Sequence, residues 1–114
     1  MFDAVIIFKI TDLLFLSRIE EICNKLSFEF KTVQDVEQLQ LALNERQHAL
    51  VICDLVSSKN DLESIAKIAR TNDSKVIGYY PHVDRNTATF ARLARIDYIV
   101  PRSTFQSRLF SLLS

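Results

Sequence analysis

Hydrophobic and polar residues follow two recurring patterns along this chain, short apolar runs and longer amphipathic stretches. The apolar runs have the length and composition of strands, because Val, Ile, Phe and Tyr favour extended structure. The amphipathic stretches repeat apolar residues three and four positions apart, which is the spacing of one helical face. The pattern predicts strands at residues 3–8, 28–33, 49–53, 75–80 and 97–100, each followed by a helix.

The predicted helices fill the amphipathic stretches between these runs. Asp35 stands directly before one such stretch and Asp84 is the first residue of another, and a short acidic side chain there can cap the first helical turn. The helices are predicted at residues 13–26, 36–46, 61–70, 84–95 and 105–113.

Strict alternation of five strands and five helices predicts right-handed crossovers and a parallel sheet with helices on both faces. Apart from Asp3 and Lys75 at their starts, the runs at 3–8, 49–53 and 75–80 are continuously apolar and belong in the middle of the sheet, whereas 28–33 alternates and belongs at an edge. The chain has 114 residues, 48% of them hydrophobic, which suffices for one core. We therefore predict a doubly wound α/β sandwich formed by a single domain, residues 1–114.

Charge and cysteine content limit where the protein works. The 14 basic and 14 acidic side chains cancel, which argues against general adhesion to nucleic acid.

Cys23 and Cys53 lack partners at metal-ligand spacing, so both are predicted to be buried free thiols in a reducing compartment. Asp3, Lys9 and Asp12 interrupt the N-terminal apolar run, and no window reaches the roughly 20 apolar residues of a membrane span. We expect a cytoplasmic protein without a signal peptide or membrane segment.

An acid, Asp54, follows the apolar run at 49–53. Ionised carboxylates are seldom buried without a partner, so its position requires a reason. In doubly wound sheets, ligand sites gather beyond the carboxyl ends of the strands, and Asp54 lies at that end of the central strand. The same edge should collect Lys9, Thr11, Tyr80, Pro81, His82, Asp84, Arg102 and Ser103.

The segments VICDL (51–55) and IVPRS (99–103) resemble the receiver domains of two-component response regulators. The resemblance extends over essentially the whole chain in length and element order. It implies a flavodoxin-like fold with strand order 2-1-3-4-5, and it places Asp54 at the phosphoacceptor position. A working receiver catalyses its own phosphorylation from a histidine kinase or a small phosphodonor and uses Mg²⁺.

The metal-binding part of the receiver motif is missing. In that family a pair of acids follows the first strand and binds Mg²⁺ together with the phosphoacceptor. Here Phe8, Lys9 and Ile10 occupy that stretch, and Asp12 comes too late to replace the pair. One carboxylate alone holds Mg²⁺ poorly. We therefore expect a pseudo-receiver that carries no cofactor, with Mg²⁺ bound only if Asp54 is a working phosphoacceptor.

Two further receiver positions are also altered. The family has Ser or Thr at the end of the fourth strand, where this chain offers Tyr79 or Tyr80, and it has Lys before Pro after the fifth strand, where Pro101 precedes Arg102. We predict that Arg102 pairs with Asp54, because a guanidinium matches a carboxylate and stays charged. Lys9 could supply a second cation. Either this edge senses or displays a signal, or the pair merely satisfies a leftover acid.

The loop after the fourth strand holds His82 and Asp84. Asp84 is predicted to cap the next helix, while a metal site of Asp54, His82 and Asp84 has acceptable ligand types but is a weak signal. The only glycine, Gly78, lies in a strand pattern, and no nucleophile elbow is present. The sequence therefore predicts a protein that is not an enzyme.

The last third of the chain is basic. Residues 75–114 carry 6 Lys/Arg and 2 Asp, whereas residues 1–74 carry 8 Lys/Arg and 12 Asp/Glu. Arginine and aromatic side chains are favoured in interface cores, and receivers commonly dock partners or dimerise through helix 4, strand 5 and helix 5. We predict that this face binds a protein partner or a second copy through Arg92, Arg95, Tyr98, Arg108 and Phe110.

The sequence thus favours a stand-alone receiver-like signalling domain that acts through protein–protein interaction. One alternative is a functional receiver phosphorylated on Asp54, with a histidine kinase as partner. A second is a nucleic-acid-binding module that uses the arginine face, which steep salt dependence of binding would reveal.

Overall fold

The sheet has the predicted topology. The computed structural model describes residues 4–114, and its five strands are all parallel in the order β2-β1-β3-β4-β5. This confirms a doubly wound, flavodoxin-like α/β sandwich with β3 at its centre and β2 at an edge. The elements are β1 (Ile6–Lys9), α1 (Leu13–Lys25), β2 (Phe30–Thr32), α2 (Val36–Glu45), β3 (Leu50–Asp54), α3 (Leu62–Thr71), β4 (Lys75–Tyr80), α4 (Arg85–Leu93), β5 (Tyr98–Pro101) and α5 (Arg102–Leu113).

The core is divided by the sheet into two layers. Successive side chains of a strand point to opposite faces, so in β1 Ile6 and Phe8 pack beneath α1 and α5, while Ile7 packs beneath α2, α3 and α4. Both faces of the central strands are therefore covered. This is why β1, β3 and β4 are apolar almost throughout.

Element ends differ from the prediction near the carboxyl edge of the sheet. Asp54 is the last residue of β3 rather than the first residue after it. Helix α5 begins at Arg102, directly after β5 and three residues earlier than predicted. A single 3₁₀ turn, Lys59–Asp61, precedes α3 and was not predicted.

The ends of β1 and α2 also differ. The predicted first strand includes residue 3, which lies outside the described residues, and β1 begins at Ile6. Helix α2 ends at Glu45, so the prediction that Arg46 is helical is wrong. The Arg46 guanidinium instead pairs with the Glu29 carboxylate at 3.0 Å, an exposed contact at the beginning of β2.

Three helices are followed, two residues after their last helical residue, by a residue other than glycine with positive φ. Ser27, Asp73 and Arg95 have φ of 61°, 51° and 67° and follow α1, α3 and α4. After α4, the N–H of Ile96 donates to Ala91 O and the N–H of Arg95 donates to Arg92 O. This is the Schellman arrangement, which usually places glycine at the left-handed position.

The one glycine is required by a close approach inside the sheet. A Cβ atom on Gly78 would lie 2.2 Å from Cδ2 of Leu55, which packs across β4 immediately after β3 ends. Both cysteines, Cys23 and Cys53, are buried free thiols, as predicted. In the described part of the chain, residues 4–114, no helix combines the length and apolar character needed to cross a membrane.

Candidate functional site at the carboxyl edge of the sheet

Asp54 closes the turn that follows the central strand. Its Oδ1 accepts hydrogen bonds from the backbone N–H groups of Val56, at 3.0 Å, and Ser57, at 3.4 Å. The side chain is half-buried at the sheet edge, so its charge keeps contact with water and with two backbone donors. This answers the question that an acid after an apolar run raises, because Asp residues stabilise turns by this type of bond.

Lys9 is buried beside this turn. It is 9% exposed, and its Nζ donates to Ser58 Oγ at 3.0 Å, while Ser58 itself is fully buried. Burial raises the pKa of the neighbouring Cys53 thiol to about 12, although the positive charge of Lys9 opposes that rise. Lys9 therefore joins the end of β1 to the loop after β3 through Ser58, and the predicted contact with Asp54 is replaced by this bond.

Arg102 pairs with Asp12, which corrects the prediction that it pairs with Asp54. The guanidinium Nη2 lies 2.7 Å from Asp12 Oδ2. Asp12 Oδ1 also accepts from the Phe15 N–H at 3.1 Å and so caps α1. The guanidinium stacks 4.4 Å from the centre of the Phe15 ring. Arg102 is the first residue of α5, and α5 packs beside α1. The carboxylate that Arg102 meets is therefore that of Asp12, at the N-terminus of α1.

The local environment lowers the pKa of Asp12. The largest cause is the backbone hydrogen bond from Phe15, and the hydrogen bond from Arg102 is the next. Both favour the ionised carboxylate. Asp12 therefore remains an anion that joins α1 to α5 at the carboxyl edge of the sheet.

Tyr79 and Tyr80 point to opposite faces of the sheet. Tyr79 pairs in register with Asp54 and is 2% exposed, with its ring 4.5 Å from Phe15 and 5.3 Å from Phe105. Its hydroxyl has no hydrogen-bond partner among residues 4–114. Burial, then the charge of Asp54, raises its pKa, so the phenol stays neutral. Tyr80 is half-buried against the core of the α2–α3–α4 layer.

Asp84 caps α4, as predicted. Its carboxylate accepts from the Thr87 N–H at 3.0 Å and from Thr87 Oγ1 at 2.7 Å, and these bonds lower its pKa. His82 is exposed in the preceding loop, and Ser103 is exposed in the first turn of α5. Within residues 4–114, His, Cys, Asp and Glu side chains form no group of three or more that could hold a metal ion.

The residues at the end of β1, where a receiver would carry its metal-binding acids, do not fit Mg²⁺. Phe8 and Ile10 are buried in the core, and Lys9 brings a positive charge to the place where acids are required. Asp54 offers one carboxylate whose Oδ1 is already occupied by backbone donors, and Asp12 is engaged by Arg102. Mg²⁺ requires several hard oxygen ligands in octahedral geometry, and this set of side chains does not supply them.

The predicted interface residues fall into separate groups. Tyr98 and Arg108 share a groove between β5 and α5 with Val100 and Leu112. Phe110 is exposed, but two residues along a helix correspond to a rotation of about 200°, so it lies on the other flank of α5 from Arg108. Arg92 and Arg95 are exposed at the C-terminal end of α4.

Sequence reasoning missed the roles of Asp12, Ser58 and Tyr79. Asp12 directly precedes the helical pattern that begins at Leu13, which is a capping signal. No local pattern identifies Ser58 as the partner of Lys9, because the two residues are 49 positions apart.

Comparison with protein-family models, with curated proteins and with solved structures finds no match to this chain.

Proposed function

We propose that this chain is a receiver-like signalling domain that acts by binding another protein and is not phosphorylated through Mg²⁺ at Asp54. The single observation that carries this proposal is the placement of Lys9. Its buried ammonium group occupies the position where a receiver needs an acid, and it donates to Ser58. Transfer of a phosphoryl group to Asp54 would lack the divalent cation that offsets the charge of the incoming oxygens.

The other receiver positions support the same proposal. Arg102 stands near the place of the receiver lysine, but its charge is neutralised by Asp12 on α1. Tyr79 stands near the place of the receiver hydroxyl, but it is fixed between aromatic rings of the core. Each substituted side chain thus contributes to packing or to an internal bond. We infer that the edge holds one fixed conformation.

The proposed partner surface is the β5 and α5 part of the predicted face of helix 4, strand 5 and helix 5. Tyr98 and Arg108 border a shallow groove whose floor includes Ile77 and Val100. Arg108 is exposed and has no carboxylate within 4 Å among residues 4–114. An aromatic ring beside an unpaired arginine is typical of the residues that dominate binding energy at interfaces. A partner with acidic groups around an apolar anchor would suit this groove.

A phosphorylation assay tests the first half of the proposal. Incubation with a small acyl phosphate and Mg²⁺, followed by intact mass spectrometry, should show no added phosphoryl group, and Asp54→Asn should be indistinguishable from wild type. Stoichiometric phosphorylation lost in Asp54→Asn would overturn the proposal and favour the working receiver with a histidine kinase partner.

The binding half of the proposal is tested separately. A protein captured from the native cell extract by the wild type should be lost with Arg108→Glu and retained with Arg18→Glu, an exposed arginine on α1. Equal capture by both variants would contradict a partner site on β5 and α5. Binding to nucleic acid that falls steeply with salt would favour the nucleic-acid alternative instead.

A further inference from the structure

The outward face of α2 carries an apolar side chain between two acids. Leu41 is 63% exposed, and Glu37 and Glu45 lie four residues before and after it, so all three share one side of the helix. Both glutamates are exposed, and Glu45 makes only a long contact of 3.8 Å with Lys31. This α2 patch is therefore apolar in the middle and negative at both ends.

The outward face of α4 has the opposite character. Leu93 is 78% exposed and Phe90 is 53% exposed, and they border an open groove in which Lys59 Nζ lies 4.8 Å from the Phe90 ring centre. Among residues 4–114, the cations around this α4 patch have no carboxylate within 4 Å. They are Lys59, which lines the groove, and Arg85, Arg92 and Arg95 on α4 and directly after it, while the acid Glu63 of α3 also lines the groove.

Both patches belong to the same helical layer. Helices α2, α3 and α4 cover one face of the sheet, and α3 lies between the other two because the order of the helices follows the strand order β1-β3-β4-β5. The middle of the layer presents Glu63 and Lys67, two exposed and opposite charges on α3. One broad surface therefore runs from a negative apolar patch to a positive apolar patch.

A surface of this kind is complementary to itself after a rotation of 180°. We propose that two copies of this chain pair face to face through α2, α3 and α4, with the two-fold axis running parallel to α3 along its outer side. The rotation lays α2 of one copy parallel on α4 of the other. Leu41 then covers Phe90 and Leu93, and each of these contacts occurs twice.

The ends of the helices match in charge in this arrangement. Parallel placement brings Glu37, at the start of α2, to Arg85 at the start of α4. It brings Glu45, at the end of α2, to the end of α4, where Arg92 and Arg95 are exposed. Opposite charges across an interface fix the orientation of partners and speed their encounter. The β5–α5 groove stays open in this dimer, because it lies outside the layer that is covered.

Charge reversal tests the pairing in both directions. Glu37→Arg alone and Arg85→Glu alone should each weaken self-association at least about tenfold, while an equimolar mixture of the two variants should form a heterodimer. The rescue follows because each mutant helix then faces an opposite charge. Sedimentation velocity from about 1 µM to about 1 mM at low salt measures the change, and circular dichroism confirms that both variants fold.

Matched controls separate this face from the rest of the surface. Leu93→Glu should abolish the dimer, whereas Leu14→Glu, on the similarly exposed start of α1, and Arg108→Glu, on α5, should leave it intact. A monomeric wild type at about 1 mM, or a mixture that stays monomeric, would overturn the proposal. So would a mass that grows beyond two copies, or a dimer lost with Arg108→Glu.

Discussion

The guanidinium of Arg102 lies 2.7 Å from the carboxylate of Asp12, across 90 residues of sequence. This contact joins the first turn of α5 to the cap of α1, and it removes Arg102 from Asp54. The carboxyl edge of the sheet therefore contains two separate sets of polar contacts. One is the ion pair between Asp12 and Arg102, and the other is the turn after β3, in which the Asp54 carboxylate accepts hydrogen bonds from the N–H groups of Val56 and Ser57.

Replacing Asp12 should cost more stability than replacing Asp54. Asp12→Ala removes a helix cap and an ion pair together, whereas Asp54→Ala removes only turn hydrogen bonds and should cost about 0.5–1.5 kcal/mol. Asp12→Asn keeps a capping oxygen, so its free energy of unfolding should lie between those of the wild type and Asp12→Ala. Urea unfolding of the three variants measures the order. A larger loss in Asp54→Ala would mean that Asp54 neutralises a buried cation after all.

The contribution of Asp12 should disappear in acid. The folded structure lowers the pKa of this carboxyl below its ordinary value of 3.8, so the ionised form is favoured by folding. The resulting stability is present above the ordinary pKa and is lost as the pH falls through the lowered value. The difference in unfolding free energy between wild type and Asp12→Asn should therefore be constant near neutral pH and shrink below about pH 4. A difference that persists at pH 2 would contradict this assignment.

The bond between Lys9 and Ser58 should behave as a coupled pair. Ser58→Ala leaves a buried ammonium without its hydrogen-bond partner and should cost about 1–3 kcal/mol. Adding Lys9→Met to that variant should recover part of the loss, because both partners are then apolar. Ser57→Ala, at the exposed neighbouring position, is the control and should change stability by less than about 0.5 kcal/mol. Additive losses in a double-mutant cycle would show that the two side chains are independent.

Glycine at the left-handed helix ends should stabilise the fold. Arg95 has φ of 67°, a conformation that costs a side-chain-bearing residue about 1–2 kcal/mol relative to glycine, partly offset by the greater entropy of glycine when unfolded. Arg95→Gly should therefore gain about 0.5–1 kcal/mol. Arg92→Gly, inside α4, should instead lose about 1 kcal/mol. If thermal unfolding shows that Arg95→Gly and Arg92→Gly lose the same stability, the left-handed conformation of Arg95 after α4 is contradicted.

Most of the fold could be predicted from the sequence because its signals are local. The apolar runs, the helical spacing and the acids before α2 and α4 each act within a few residues, and together they fix element type and order. The edge position of β2 followed from the alternation in FEFKTV alone. The extra residue in β3 and the early start of α5 were missed because Asp54 and Arg102 are polar residues within regular elements.

The side-chain contacts at the carboxyl edge of the sheet could not be predicted in the same way. Whether Arg102 finds Asp12 or Asp54 depends on how α5 packs beside α1, which is a tertiary property. Ser58 is one of two adjacent serines after β3, and only the loop conformation directs it at Lys9. The choice between Tyr79 and Tyr80 at the end of β4 depended on strand register, which decides the face of the sheet that each ring occupies.

The most direct test of a receiver-like site without metal chemistry is a Mg²⁺ titration followed by amide NMR. The N–H groups of Val56 and Ser57 donate to Asp54 and would report any ion bound at its carboxylate. Their resonances should remain unchanged up to about 10 mM Mg²⁺, because one carboxylate beside a buried lysine cannot replace enough hydration water. Site-specific shifts of these two amides that saturate below about 1 mM would contradict the central claim.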